Sequence, residues 1–339
     1  VTDIQRDNRL AVVTGAAGHL GNVLVRRLVE LGRPVRAVVA PFDDLRAFED
    51  LEVRVAVADV RSPAALARAF AGADTVFHLA GIISIHEGQA RLLEAVNVEG
   101  TRNVIAACRA AGARRLVYSS SVHALPEPPH GTPVCETGDF DPAVVLGDYA
   151  RSKARASIEV RRAALEGLDA VMVFPSGIIG PFDYRPSEMG RLFLAFARGR
   201  MRAAVEGAYD FVDVRDVAEA LVSAADHGRG GEGYLVSGHG VTVRDLFRML
   251  GELTGVRPPR FSVPFALARV GAALSPLWAK LTRTRPLFTP YSLAVLRSNC
   301  LMDRSKAERE LGFRPRGLRD TVADTLGWFR AAGMLPARG

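Results

Sequence analysis

Apolar and polar positions follow two different periods along the first half of the chain. Short continuous runs rich in Val, Ala and Leu predict strands at Leu10–Thr14, Val35–Ala40, Val53–Ala58, Thr75–Leu79, Arg115–Ser119 and Ala170–Phe174. Between them, apolar residues recur at helical spacing over His19–Leu31, Pro63–Phe70, Gln89–Ala111 and Asp148–Glu166. Ser62 followed by Pro63 is a strong helix start, a capping hydroxyl ahead of a pre-set φ. Strand then helix, repeated, predicts a parallel sheet with helices on both faces. Strands that are apolar throughout, without alternation, are what burial on both faces requires.

The pattern breaks near residue 176. Pro175, Pro181 and Pro186, with Gly177, Gly180 and Gly190, predict a looped passage before an amphipathic helix at Arg191–Arg198. Helices at Val214–Asp226 and Val241–Thr254 flank a short run at Tyr234–Ser237, and Asp303–Leu311 and Leu318–Ala332 end the series. The expected fold is α/β: a doubly wound parallel sheet over residues 1–176 and a smaller, mostly helical substrate domain over 177–339. Elements near 208–240 are expected to return to the sheet.

The first predicted strand runs into Gly15-Ala16-Ala17-Gly18-His19-Leu20-Gly21, which opens a helix. Gly15 permits the tight turn, Gly18 lets backbone approach a pyrophosphate, and Gly21 lets helix and strand pack closely. A helix N-terminus adds free N–H groups and a favourable dipole for the phosphates. A lone glycine triplet is often only a turn; the strand before it and the helix after it make this one a Rossmann-type dinucleotide loop. Its spacing is G-x-x-G-x-x-G rather than G-x-G-x-x-G.

Composition changes this picture little. Hydrophobic residues make up 48% and charged residues 24% of 339, which fits a folded globular chain and excludes disorder. A net charge of +7 raises nucleic acid as a partner, but the arginines are spread along amphipathic stretches without aromatic interleaving, so a solvated surface is expected. Cys108, Cys135 and Cys300 are too scattered for a disulfide framework or a zinc site, and no acidic, His or Cys grouping has metal-ligand spacing. The opening residues Val1–Asp7 lack the apolar core of a secretory signal. Arg269, Lys280, Pro264 and Pro276 interrupt the apolar stretch Val263–Leu281, which argues against a membrane span. The expected location is cytoplasmic.

With its glycine spacing the chain resembles the extended short-chain dehydrogenase/reductase superfamily, and further motifs extend the match over about residues 10–330. They are Asp59-Val60, His78-Leu79-Ala80-Gly81, Asn97-Val98-Glu99-Gly100-Thr101, Tyr118-Ser119-Ser120-Ser121, Tyr149-Ala150-Arg151-Ser152-Lys153 and the segment from Phe174 to Pro181. Asp213–Ala218 and Asp303–Ala307 are similar to later landmarks. Within the superfamily the chain looks most like the dihydroflavonol reductase and 3β-hydroxysteroid dehydrogenase branch, which includes relatives described as sugar epimerases. The resemblance implies NAD or NADP as cofactor, a small-molecule substrate and a homodimer formed through Gln89–Ala111 and Asp148–Glu166. It implies a catalytic set of Ser121, Tyr149 and Lys153. It also implies cofactor contacts from Gly15, Ala17, Gly18, His19, Leu20, Gly21, Ala40, Asp59, Val60, Leu79, Ala80, Gly81, Asn97, Ser119, Tyr149, Lys153, Pro175 and Ser176.

The chemistry is consistent with these residue types. Tyr149 and Lys153 share one helix face, four residues apart, and a nearby ammonium is expected to lower the tyrosine's pKa toward the operating range. In the family the lysine also holds the nicotinamide ribose. Ser121 is expected to hydrogen-bond the substrate oxygen, although register decides between Ser120 and Ser121; alignment with the family places Ser121 there. His78 is expected to be a satisfied strand-end histidine, and Asp213 and Asp216 an ordinary helix start. His86 and His123 fall where the family's substrate pocket lies, and Asn97 either braces the site or packs.

Cofactor choice rests on the end of the second strand, where an acid reads a ribose 2′-hydroxyl and an arginine a 2′-phosphate. Val39 and Ala40 are neither, which leaves Asp43, Asp44 or Arg46 as substitutes. Ala143–Leu146, Ile82–Ile85 and the Phe261–Leu287 region suit a hydrophobic ketone or alcohol. The rival reading is a nucleotide-sugar epimerase or dehydratase, which would need diphosphate-binding arginines; Arg185, Arg191, Arg202 and Arg215 form no clear pattern. A non-catalytic scaffold is a third reading, and such proteins often lose the Tyr or Lys that this chain keeps.

Overall fold

The computed structural model describes residues 9–83, 88–201, 203–263, 265, 267 and 290–336. His86, Arg202, Ser84–Ile85 and most of the Phe261–Leu287 region lie outside the described residues.

The first half folds as strand–helix pairs: β1 (Ala11–Thr14), α1 (His19–Glu30), β2 (Val35–Val39), β3 (Arg54–Val57), α2 (Pro63–Ala69) and β4 (Thr75–His78). The helix expected over Gln89–Ala111 is one continuous rod with a wider middle. α3 (Ala90–Leu93) passes through a π-helical segment (Glu94–Glu99) into α4 (Gly100–Ala111). β5 (Arg115–Ser119), α5 (Gly147–Leu165) and β6 (Ala170–Pro175) follow. Ser62 caps α2 by accepting from the Ala65 N–H, with Pro63 in the first helical turn.

Beyond β6 come β7 (Gly177–Ile179), α6 (Glu188–Ala197), β8 (Ala204–Val205), β9 (Ala208–Asp213), α7 (Val214–His227), β10 (Gly233–Val236) and β11 (His239–Thr242). The series closes with α8 (Val243–Thr254), β12 (Ser262–Val263), α9 (Pro290–Val295), α10 (Ser305–Leu311) and α11 (Leu318–Ala331). Asp213 caps α7, accepting from the Arg215 N–H, so that carboxylate is the helix start its position suggested.

Seven strands form one sheet in the order β3-β2-β1-β4-β5-β6-β10, all parallel. The strand order reverses between β1 and β4, which makes that pair the topological switch point where a ligand crevice opens. One face packs Val12, Val76, Leu116, Met172 and Phe174 beneath α2, α4 and α5; the other packs Val13, Phe77, Val117 and Val173 beneath α1 and α7. Each large side chain fully buried in this way contributes about 1.5–3 kcal/mol against exposure. β3 departs from two-sided burial because it is the sheet's edge: Val55 and Val57 are exposed.

A third core of Phe193, Phe196, Phe211, Phe247, Leu326 and Phe329 joins α6, α8 and α11 to a small mixed sheet, β11-β9-β7. β7 and β9 pair in parallel and β9 and β11 antiparallel. No helix among the described residues is long and apolar enough to cross a membrane, and no cluster of His, Cys, Asp and Glu among them could hold a metal.

Candidate active site

The loop after β1 is built for a close approach of backbone. Gly15 adopts φ +67, and a Cβ there would lie 2.7 Å from the N and Cα of Ala80 on the β4 exit. A Cβ on Gly21 would lie 2.1 Å from the Gly15 carbonyl oxygen, so helix and turn meet only through glycine. α1 starts at Gly18 with neither a side-chain cap nor an acidic residue in its first turn, which leaves its N–H groups and dipole to an anion. This cradle fits a dinucleotide pyrophosphate. His19 ties it to the second half by donating from Nε2 to the Pro181 carbonyl at 2.9 Å, and Asn22 donates to the Phe182 carbonyl at 3.1 Å.

A buried polar chain stands behind the crevice. Thr101 donates to the Asn97 carbonyl at 2.6 Å, so its oxygen accepts from His78 Nε2 at 3.0 Å. His78 Nδ1 is then the acceptor for the Thr14 hydroxyl at 2.8 Å. His78 is the satisfied strand-end histidine that was expected. Asn97 grips the loop after β4 on both sides: its Oδ1 accepts from the Ile82 N–H at 2.8 Å, and its Nδ2 donates to the Ile82 carbonyl at 3.0 Å. The same Nδ2 reaches Ser152 Oγ at 2.9 Å, on α5 beside Lys153. Of the two roles considered for Asn97, the side chain takes the bracing one, and the π-helical turn carries it there.

Burial pushes His78 down to about 3, with the Lys153 charge adding to it, and pushes His123 down to about 4. For His78 the unfolded value is higher than the folded one, so the unfolded chain binds protons first and stability falls as pH drops below about 6.5. Between pH 6.5 and 5 we expect wild type to lose roughly 1.5 kcal/mol more than His78→Gln. Urea unfolding at the two pH values checks this, and parallel losses would contradict it.

Lys153 is buried in α5, where its Nζ donates to the Ser119 carbonyl at 2.7 Å and to the Tyr118 hydroxyl at 3.2 Å. Burial lowers it to about 7. Tyr149 is also buried; burial pushes it up to about 12, and the Ser121 hydroxyl hydrogen-bonded to it opposes the rise. The anticipated lowering of Tyr149 by Lys153 is therefore reversed. Desolvation of the phenolate outweighs any nearby cation, and the ammonium is itself desolvated and held by β5.

Ser120 and Ser121 separate cleanly. Ser120 Oγ lies 2.8 Å from Ser157 Oγ inside the protein, whereas Ser121 faces Tyr149 and accepts from the His123 N–H at 3.2 Å. The pleat at the end of β5 turns the two side chains apart. His123 completes the group. Its ring meets Tyr149 edge-on with centroids 6.5 Å apart, and its Nε2 lies 2.7 Å from the Tyr209 hydroxyl of β9. Tyr209 and Tyr118 were not anticipated. Tyr118 stood inside a quoted motif, while nothing near Tyr209 in the chain marks it.

Next to this group lies a cavity of about 100 Å³. Val122, Val144, Leu146, Ala150 and Met302 give it apolar walls, and His123, Tyr209, Glu127, Ser298 and Asn299 are its polar lining. Of the stretch Ala143–Leu146, the last three residues line this cavity; Ala143, and Ile82 and Ile83 of the second stretch, do not. The opposite wall is clipped together: Val134 donates to the Leu301 carbonyl at 2.8 Å, Asp303 to the Val134 carbonyl at 2.9 Å, and Asn299 to Glu127 at 2.5 Å.

The remaining candidates sit at strand exits along the same edge. Leu79 and Ala80 follow β4, where their N–H groups meet the Thr14 carbonyl and hydroxyl at 3.2 and 3.3 Å. A Cβ on Gly81 would lie 3.2 Å from Asn97 Oδ1 and 3.9 Å from Lys153 Nζ. Pro175 ends β6, and the Ser176 N–H donates to Val236 at 3.1 Å. Asp59 is occupied locally: Arg61 binds its carboxylate and holds it below the usual range. Val60 packs where a Cβ on Gly100 would stand, 2.8 Å from its Cγ2. Ala40 follows β2 directly and is half-buried.

A glycine cradle at a switch point, with a buried lysine and a Ser–Tyr pair behind it, marks a dinucleotide-binding enzyme of the Rossmann class. More narrowly, the chain belongs to the NAD dependent epimerase/dehydratase family, whose model matches residues 11–237, within the extended short-chain dehydrogenase/reductase superfamily. Its cofactor is NAD or NADP. It is 40% identical to sterol demethylase protein B of Methylococcus capsulatus, over 96% of this chain and 99% of the relative. It is 33% identical to ceramide reductase of Caulobacter vibrioides, over 96% of each chain. Among solved structures it matches a nucleoside-diphosphate-sugar epimerase from Pseudomonas aeruginosa at a TM-score of 0.77 and 28% identity, covering 96% and 99% of the two chains.

Proposed function

We propose that the protein interconverts a ketone or aldehyde and an alcohol on a hydrophobic substrate by NAD(P)-dependent hydride transfer. The observation that carries this is the Ser121–Tyr149 pair, whose chain neighbours Val122 and Ala150 line the apolar cavity while Lys153, one turn further along α5, is held by the strand end of β5. The nicotinamide supplies or accepts the hydride. Ser121 donates a hydrogen bond to the substrate oxygen and orients the carbonyl. Tyr149 passes its phenolic proton to that oxygen in reduction and takes it back in oxidation. A phenol raised to about 12 is fully protonated at neutral pH, the state reduction needs. Lys153 holds the nicotinamide ribose, and Ser119 and Tyr118 aim its ammonium.

The sugar-nucleotide alternative needs arginines ready for a diphosphate. Arg215 is committed to Asp213 and Asp324, Arg191 to Glu188 and the Pro186 carbonyl, and Arg185 to Asp43. The sterol and ceramide in the relatives' names add lipid ketones to the substrates worth testing. Cytoplasmic location and a homodimer belong to the same reading; exposed Leu92, Ile158 and Leu165 on α3 and α5 support pairing through that surface.

The test is NADH and NADPH oxidation across hydrophobic ketones, sterol ketones and sugar nucleotides. We expect net cofactor consumption with a hydrophobic ketone. Conversion of a sugar nucleotide without net consumption would replace this reading with the epimerase one.

A further inference from the structure

We infer that Asp43 selects NAD(H) over NADP(H) at the adenosine ribose, a role that rests on a dinucleotide seated at the Gly15–Gly21 loop. The residue that ordinarily reads the ribose ends the second strand, and Ala40 there has neither charge nor a polar side chain. The chain brings a carboxylate back against the Ala40 backbone from three residues further on.

Residues 40–43 form a tight turn closed twice. The Asp43 N–H donates to the Ala40 carbonyl at 3.0 Å, and the Ala40 N–H donates back to Asp43 Oδ2 at 2.8 Å. Pro41, at the second position of the turn, pre-sets its φ. One carboxylate oxygen is therefore fixed on the last N–H of the strand end. The other, Oδ1, faces Arg185 Nη1 at 3.3 Å. A carboxylate held there accepts from a ribose hydroxyl and repels a 2′-phosphate.

Arg185 is the rival reader, since a guanidinium binds phosphate well. Two observations favour Asp43. Its side chain is 16% exposed and anchored by the turn, whereas that of Arg185 is 60% exposed and reaches in from another loop. Arg185 also already faces the carboxylate, so a phosphate arriving at the guanidinium meets a fixed negative charge beside it. The next pair adds no cation to the balance: Arg46 donates to Asp44 from Nε at 2.8 Å and Nη2 at 2.5 Å.

The experiment is equilibrium titration of wild type, Asp43→Asn and Arg185→Ala with NADH and with NADPH, read by cofactor fluorescence. Wild type should bind NADH at least about tenfold more tightly than NADPH. Asp43→Asn keeps an acceptor for the Ala40 N–H and loses the charge. It should bring the two dissociation constants within about threefold, chiefly by tightening NADPH. Arg185→Ala should leave NADH preferred. Equal affinities or an NADPH preference in wild type would overturn the inference, as would an unchanged ratio in Asp43→Asn whose thermal melt matches wild type. Failure of wild type to bind either dinucleotide would overturn the cofactor assignment itself, an outcome distinct from a lost preference.

Discussion

Replacing Tyr149 with Phe should lower turnover of any ketone the protein reduces by about 10³-fold, within the range found for loss of a general acid. The aromatic ring, its burial and its edge contact with His123 all survive the change. What disappears is one hydroxyl, hydrogen-bonded to Ser121 and able to pass a proton. Dinucleotide affinity should change little, because the cradle of Gly15–Gly21 and the hold of Lys153 are untouched. The expected signature is therefore a fall in kcat with a steady cofactor dissociation constant. Residual turnover near wild type would transfer the proton to another group, and His123 would be the first to examine.

Lys153→Met should abolish most turnover, by about 10²-fold or more, and yet not weaken the fold. The reason lies in the sign of the lysine's shift. Burial lowers it to about 7, well below its unfolded value, so the folded chain binds fewer protons than the unfolded chain between about pH 7 and 10.5. Stability therefore rises with pH across that window, and near pH 7 the buried amine is a cost. A methionine of similar length removes the cost. Against that, the Ser119 carbonyl and the Tyr118 hydroxyl each lose a donor. Thermal melts at pH 7.5 and 9.5 decide the matter. The variant should melt no lower than wild type at pH 7.5, and wild type should gain on it at 9.5. A variant that melts lower at both values by the same margin would refute the argument.

These two side chains show where sequence reasoning succeeds and where it stops. A Tyr and a Lys four apart on one helix face are legible because helical geometry is local. The glycine loop is legible because its demand is steric: at Gly21 the nearest backbone oxygen leaves no room for a Cβ. The direction of the Tyr149 shift was not legible. It depends on how deeply packing buries the phenol, and no spacing of residues encodes that. The choice between Ser120 and Ser121 needed the pleat at the end of β5, which sets Ser120 against Ser157.

Other features escaped for related reasons. The small sheet β11-β9-β7 is built from runs of three to six residues, too short to establish a period of two, and so Tyr209 stood on an unrecognised strand. The bracing by Asn97 depends on a π-helical turn inside a stretch whose apolar pattern reads as ordinary helix. The parallel sheet with helices on both faces followed from strand–helix alternation, whereas its strand order is read only from the structure.

The wall that clips residues 127–134 to 299–303 has a consequence for how the protein is made. The seven-stranded sheet is complete once Val236 has been synthesised, and every strand exit that meets the cofactor crevice is then present. The apolar cavity's wall waits for Asn299, Leu301 and Asp303, more than sixty residues later. A ribosome-bound chain thus acquires its nucleotide floor first and the wall of the apolar cavity last. The cofactor can steady the nascent fold before any substrate has a place to enter.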